Sequence, residues 1–159
     1  MWVVDSSPLI VLGKSGQLEL LFKLAGELAV PAAVFREVAV RKEETALMAF
    51  LEQSGRLQVP SDTELHPDVL AWDLGRGESQ VISLAVRQNA ARVVLDDLEA
   101  RRCASSMSIR VIGSLGIVVM AKQKGLIAQA KPVIERLLQG GLYLDEGLVV
   151  KALGMVGER

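Results

Sequence analysis

Acidic residues in this chain recur where one fold could gather their carboxylates along a common edge. Asp5 ends the apolar run WVVD (2–5), and Asp96 and Asp97 end RVVLDD (92–97). Glu37 lies within the mostly apolar PAAVFREVAV (31–40), where an acid is less routine. Glu78 follows LGRG, whose Gly75 and Gly77 permit a tight backbone path into a helix. Such a set of carboxylates repels itself unless a cation sits among them. Oxygen donors without histidine suit a hard divalent ion, Mg2+ or Mn2+, which takes few carboxylates and keeps several waters. The chemistry that follows is metal-assisted hydrolysis of a phosphodiester, with water activated and charge on the leaving oxygen stabilised at the ion.

Each acid also has an ordinary reading. Asp5, followed by Ser6, Ser7 and Pro8, could cap a helix. Glu37 could pair with Arg36 or Arg41, and Glu78 sits where a helix N-terminus favours negative charge. One of Asp96 and Asp97 is expected to cap the helix that begins DLEARR. The functional reading rests on the set.

To position these acids the chain needs strands that end together. Short apolar or β-branched runs at 2–5, 28–31, 92–96 and 109–113, with a further one at 56–60, predict strands. Helical patterns lie at 17–26, 31–41, 43–55, 77–89, 97–106, 114–125 and 130–140, with Pro31 in a first turn and Gly55, Gly125 and Gly140 as stops. Alternation of this kind implies a three-layer α/β/α sandwich around a mostly parallel sheet. Val93, Val94 and Leu95 are apolar on both faces of their strand, which marks it as central. Open α/β sheets take ligands at the carboxyl ends of their strands, the addresses of Asp5 and Asp96/Asp97. PSDTELHPD (60–68) reads as a loop.

Two phosphate-related alternatives fail on spacing. GKS (13–15) matches the tail of a phosphate loop, but the leading glycine of that pattern would fall at Pro8, so GKSG reads as a turn between two short helices. Adjacent aspartates also occur in phosphoacceptor receiver domains, but there the pair ends the first strand, which here carries only Asp5.

A chain of 159 residues suits one domain with a full core. The net charge of −1 argues against a protein that coats nucleic acid, yet residues 101–134 hold six cations and no acid. Arg101, Arg102, Lys122 and Lys124 are therefore candidate phosphate contacts, against the alternative of a solvated helix surface. One cysteine and one histidine build neither a disulfide nor a zinc site. No apolar run approaches the roughly 20 residues of a bilayer span. MWVVDSS lacks a basic n-region and reads as the first strand, so a cytoplasmic protein is expected, with no membrane association.

In order and spacing, VVDSSPLI, VPAAVFREV, LGRGESQVISLA and VVLDDLEARRCA resemble the four acid-bearing stretches of the PIN domain. That is a small α/β/α fold of metal-dependent nucleases that includes the toxins of VapC-type toxin–antitoxin pairs. IRVIGSLGIVVMAKQKGLI and the C-terminal AKPVIERLLQGGLYLDEGLVVKAL are similar to one PIN-like branch associated with nucleic-acid binding, so the resemblance spans nearly the whole chain. It implies a single domain over 1–159, with the helices of about 126–159 packed on it or at an oligomer contact. It further implies Mg2+ or Mn2+ held by Asp5, Glu37, Glu78 and Asp97, with Asp96 as cap or supporting partner and Ser6 or Ser7 beside Asp5. RNA as substrate, a small antitoxin and a homodimer belong to the same expectation. Glu78 stands where toxins commonly carry aspartate, and Leu95 stands where many members carry a hydroxyl two residues before the fourth acid. A PIN-like binding module without turnover is the alternative function.

Overall fold

The computed structural model describes residues 1–41 and 45–159. Five strands form one parallel sheet: β1 Trp2–Val4, β2 Leu28–Ala29, β3 Leu57–Gln58, β4 Arg92–Val94 and β5 Val111–Ile112, in the order β3-β2-β1-β4-β5. In register, Val3 faces Ala29 on one side and Val93 on the other. The chain builds outward from β1 to β2 and β3, then crosses back to place β4 on the opposite side of β1. The carboxyl ends of β1 and β4 therefore flank the topological switch point, where connections diverge and leave a crevice.

Among the described residues ten helices cover the sheet: α1 Ser6–Lys14, α2 Leu18–Ala25, α3 Ala32–Ala39, α4 Thr45–Gln53, α5 Pro67–Leu70, α6 Arg76–Gln88, α7 Leu98–Ser106, α8 Ser114–Gln123, α9 Lys131–Gln139 and α10 Glu146–Met155. Val3, Val4, Val93, Val94 and Leu95 have no exposure at all, as strands buried on both faces require. α6 lies against β1 and β4 and packs on α3, which brings Glu37 and Glu78 toward the switch point. α9 and α10 each pack on α8, with Val133, Ile134 and Leu137 of α9 and Ala152 and Leu153 of α10 buried. Among the described residues no helix is long and apolar enough to cross a membrane.

Several boundaries differ from the sequence expectation for local reasons. Pro31 is the N-cap of α3, with φ −56° and ψ 150°, and has no side-chain acceptor to offer. The first-turn N–H of Ala33 instead donates to Gln80 Oε1 of α6 at 3.2 Å. The expected loop 60–68 ends in α5, started by Pro67 in its first turn and by His66 Nδ1, which accepts from the Asp68 N–H at 3.1 Å. Gly55 and Gly125 take left-handed φ of 69° and 73°, whereas at the end of α9 Gly141 (φ 105°) does so in place of Gly140. Of the helix expected over 43–55, residues 45–53 are helical, and 43 and 44 lie outside the described residues.

Candidate functional site

Asp5 leaves β1 with its own N–H donating to the Val94 carbonyl of β4 at 3.1 Å, so the backbone pins it across the switch point. It occupies the N-cap position of α1 in extended conformation, yet its side chain makes no capping bond. The residue is only 4 % exposed, and Oδ1 is buried without a hydrogen-bond partner among the described residues. A buried carboxylate oxygen left unpaired is costly. Burial pushes the Asp5 pKa up to about 7; the charges of Glu78, Glu37 and Asp96 add to the shift, and the Ser6 N–H opposes it.

Glu37 reaches the same crevice from α3. Its Oε2 accepts from Ser6 Oγ at 2.9 Å, while the neighbouring Arg36 turns away to Asp62. The glutamate lies directly on α6: a Cβ at Gly77 would come within 2.6 Å of Glu37 Oε1. Gly77 is thus a close-approach glycine that makes room for an acid. Glu78, third residue of α6, is half-buried, and burial raises its pKa, with Asp97 and Glu37 adding repulsion against the opposing Gly75 N–H.

The adjacent aspartates separate in role. Asp97 caps α7, its Oδ2 accepting from the Ala100 N–H at 3.0 Å. Asp96 accepts from the Ser114 N–H through Oδ1 at 2.7 Å and from Ser114 Oγ through Oδ2 at 2.6 Å, which ties β4 to the start of α8. The residues alone left the cap open and the resemblance implied Asp96 as cap or supporting partner; the cap is Asp97, because both oxygens of Asp96 are taken by Ser114.

The remaining candidates are dispersed. Ser7 is exposed in the first turn of α1. Arg101 is half-buried, and its Nη1 donates to the Leu95 carbonyl at 3.0 Å, at the end of β4. Arg102 pairs with Glu99 at 2.8 Å on the surface of α7. Lys122 is fastened to the Ala128 carbonyl and to Glu158, and Lys124 is exposed just past α8. Both lysines lie eight to ten residues beyond Ser114, roughly 12–15 Å along the helix from the acidic edge. Ser114 and the cross-links of Asp62 and Gln80 were not foreseen from the sequence; the one available signal was a serine opening a helix after a strand.

Among the described residues, no three His, Cys, Asp or Glu side chains are grouped tightly enough to share one ion as they stand. The edge offers hard oxygen donors and one buried carboxylate oxygen without a partner, chemistry that a divalent cation satisfies.

A solved structure of a PilT N-terminus domain protein from the hyperthermophilic archaeon Sulfolobus solfataricus P2 is similar at 15 % identity and a TM-score of 0.39, with 92 % of this chain and 98 % of that chain covered. No curated protein matches the chain. A family model described as a PIN domain matches residues 1–158, so the chain belongs to the PIN-domain family, whose fold is that of nucleases.

Proposed function

We propose that this chain is a Mg2+- or Mn2+-dependent endoribonuclease that hydrolyses RNA phosphodiester bonds at the carboxyl edge of β1 and β4. The observation that carries the reading is Asp5 Oδ1, buried, without a hydrogen-bond partner among the described residues, and near the charges of Glu78, Glu37 and Asp96. Asp5, Glu37, Glu78 and Asp97 would hold the ion. Ser6 keeps Glu37 on that edge, and Asp96, engaged by Ser114 through both oxygens, steadies the end of β4 behind them. A bound divalent cation supplies a water of lowered pKa and offsets charge on the leaving oxygen.

In the fuller form of this reading the protein acts in the cytoplasm as the toxin of a toxin–antitoxin pair, partnered by a small antitoxin and by a second copy of itself. Exposed Leu148, Val150 and Met155 on α10 offer apolar surface for such packing. Incubation of the purified chain with single-stranded RNA tests the activity: cleavage is expected with Mg2+ or Mn2+ and not with a chelator, and Asp5→Asn abolishes it. Undiminished cleavage by Asp5→Asn sinks the site.

One observation favours a second reading, a PIN-like module that binds nucleic acid without turnover. Leu95 is wholly buried, so its position puts no hydroxyl on the acidic edge. Calorimetric titration separates the two, since the module takes up no Mg2+ or Mn2+ at millimolar concentration.

A further inference from the structure

An acidic edge that handles RNA must also draw in a polyanion, and cations close to that edge are the means. Arg36 precedes Glu37 on α3, and Arg76 opens α6 two residues before Glu78. Both guanidiniums reach one carboxylate, that of Asp62 in the irregular stretch after β3. Arg36 Nη2 lies 2.7 Å from Oδ1 and Arg76 Nη2 lies 3.5 Å from Oδ2. Gln80 Nε2 donates to Oδ1 at 3.2 Å, while its own Oε1 accepts from the Ala33 N–H.

This is a cup for an oxyanion, with one nitrogen from each of two guanidiniums and an amide nitrogen converging on two oxygens, charge-assisted donors that suit carboxylate and phosphate alike. Its floor is fixed, because Gln80 is 3 % exposed and tied to the first turn of α3. Its rim is open: the side chains of Arg36, Arg76 and Asp62 are 55 %, 68 % and 48 % exposed. Half-exposed ion pairs contribute little to stability, so exchange of one anion for another costs little.

We propose that Arg36 and Arg76 form a binding pair for a backbone phosphate of single-stranded RNA beside the acidic edge, and that Asp62 occupies this pair in the free protein and yields it when RNA binds. The proposal takes its ligand class from the ribonuclease reading, but its test measures binding, not cleavage. The RNA path then crosses the α3–α6 side of the crevice, away from Lys122 and Lys124.

The test is fluorescence anisotropy of a labelled oligouridylate with the full chain, free of divalent ions, over a series of potassium chloride concentrations. The Arg36→Gln/Arg76→Gln double variant is expected to bind about 10-fold more weakly at low salt. The slope of log K against log salt should flatten by about 1.4, the value for two lost contacts to a single strand. Asp62→Asn is expected to bind more tightly than wild type, and Arg110→Gln, at the opposite end of β5, to match wild type. Thermal melts of each variant report separately on stapling of the loop. Unchanged affinity and slope in the double variant overturn the phosphate pair, and weaker binding by Asp62→Asn overturns the exchange. If the double variant loses affinity and slope but no preparation cleaves RNA, the ribonuclease reading falls and the phosphate pair stands. If wild type cleaves RNA and the double variant binds as wild type does, the phosphate pair falls and the ribonuclease reading stands.

Discussion

Asp96 gives both carboxylate oxygens to Ser114, one to its backbone N–H and one to its hydroxyl. Ser114 is fully buried at the start of α8, so these two hydrogen bonds decide where that helix meets β4. Hydrogen bonds to charged groups contribute about 1.5–3 kcal/mol each, and Ser114→Ala removes one of the two. Urea unfolding should show a loss of that order in Ser114→Ala. In an Asp96→Asn background the same change should cost less, a coupling of about 1 kcal/mol or more. Strictly additive losses would show that the two residues act apart.

Gly77→Ala separates stability from site geometry. The added Cβ would fall 2.6 Å from Glu37 Oε1 and 3.1 Å from both Cδ and Oε2, and the exposed end of that glutamate must move. Alanine inside a helix is otherwise favoured over glycine by about 0.5–1 kcal/mol. The variant should therefore melt no lower than wild type, while Glu37 loses Ser6 and Mn2+ affinity falls about 10-fold. Calorimetry beside a thermal melt checks both, and undiminished Mn2+ affinity would detach Glu37 from the metal.

The strands and the acids were legible in the sequence for the same reason. WVVD and RVVLD combine β-branched or apolar runs with an abrupt acid, so the strand end and the candidate ligand are one signal. Glu78 was legible through its two glycines. The roles of Asp96 and Asp97 were not, because the choice depends on Ser114, 18 residues from Asp96 and brought there only by the β4–β5 pairing. Arg36, Asp62, Arg76 and Gln80 were hidden likewise: their convergence needs α3, the loop after β3 and α6 in their final places. Helix α5 was missed because prolines at 60 and 67 suggest a loop, although Pro67 sits where a helix can begin.

The raised pKa of Asp5 makes stability depend on pH. Its proton is bound more tightly in the folded chain, with a pKa of about 7, than in the unfolded chain, near 3.8. Below about pH 4 both states are protonated and the full contribution is present; it is lost as pH rises through 7, by about 4 kcal/mol at 1.36 kcal/mol per unit. Asp5→Asn keeps the shape without the charge. Its melting temperature should exceed that of wild type at pH 8, and the gap should close toward pH 4. Added Mn2+ should raise the wild-type value and leave Asp5→Asn unmoved. A gap that is flat from pH 4 to 8 contradicts the assignment.

Lys122 is expected to serve the fold, not the RNA. Helix α9 has Ala130 at its N-cap, with no side-chain capping bond of its own, and Pro132 in its first turn has no N–H to satisfy. The N–H groups of Ala130 and Lys131 donate instead to the two oxygens of Glu158, at 2.8 and 3.1 Å, so a carboxylate from beyond α10 caps a helix 28 residues earlier. Lys122 completes the arrangement from α8, bonded to the Ala128 carbonyl and 3.9 Å from Glu158. The two N–H donors hold the Glu158 carboxyl below the usual carboxylate range, so its contribution is present at neutral pH and is lost as pH falls through that lowered value. Glu158→Gln should lower the melting temperature at pH 7 with a deficit that shrinks in acid, and Lys122→Met should lower it without changing RNA affinity. An RNA affinity that falls in Lys122→Met at an unchanged melting temperature would return this lysine to the nucleic-acid path.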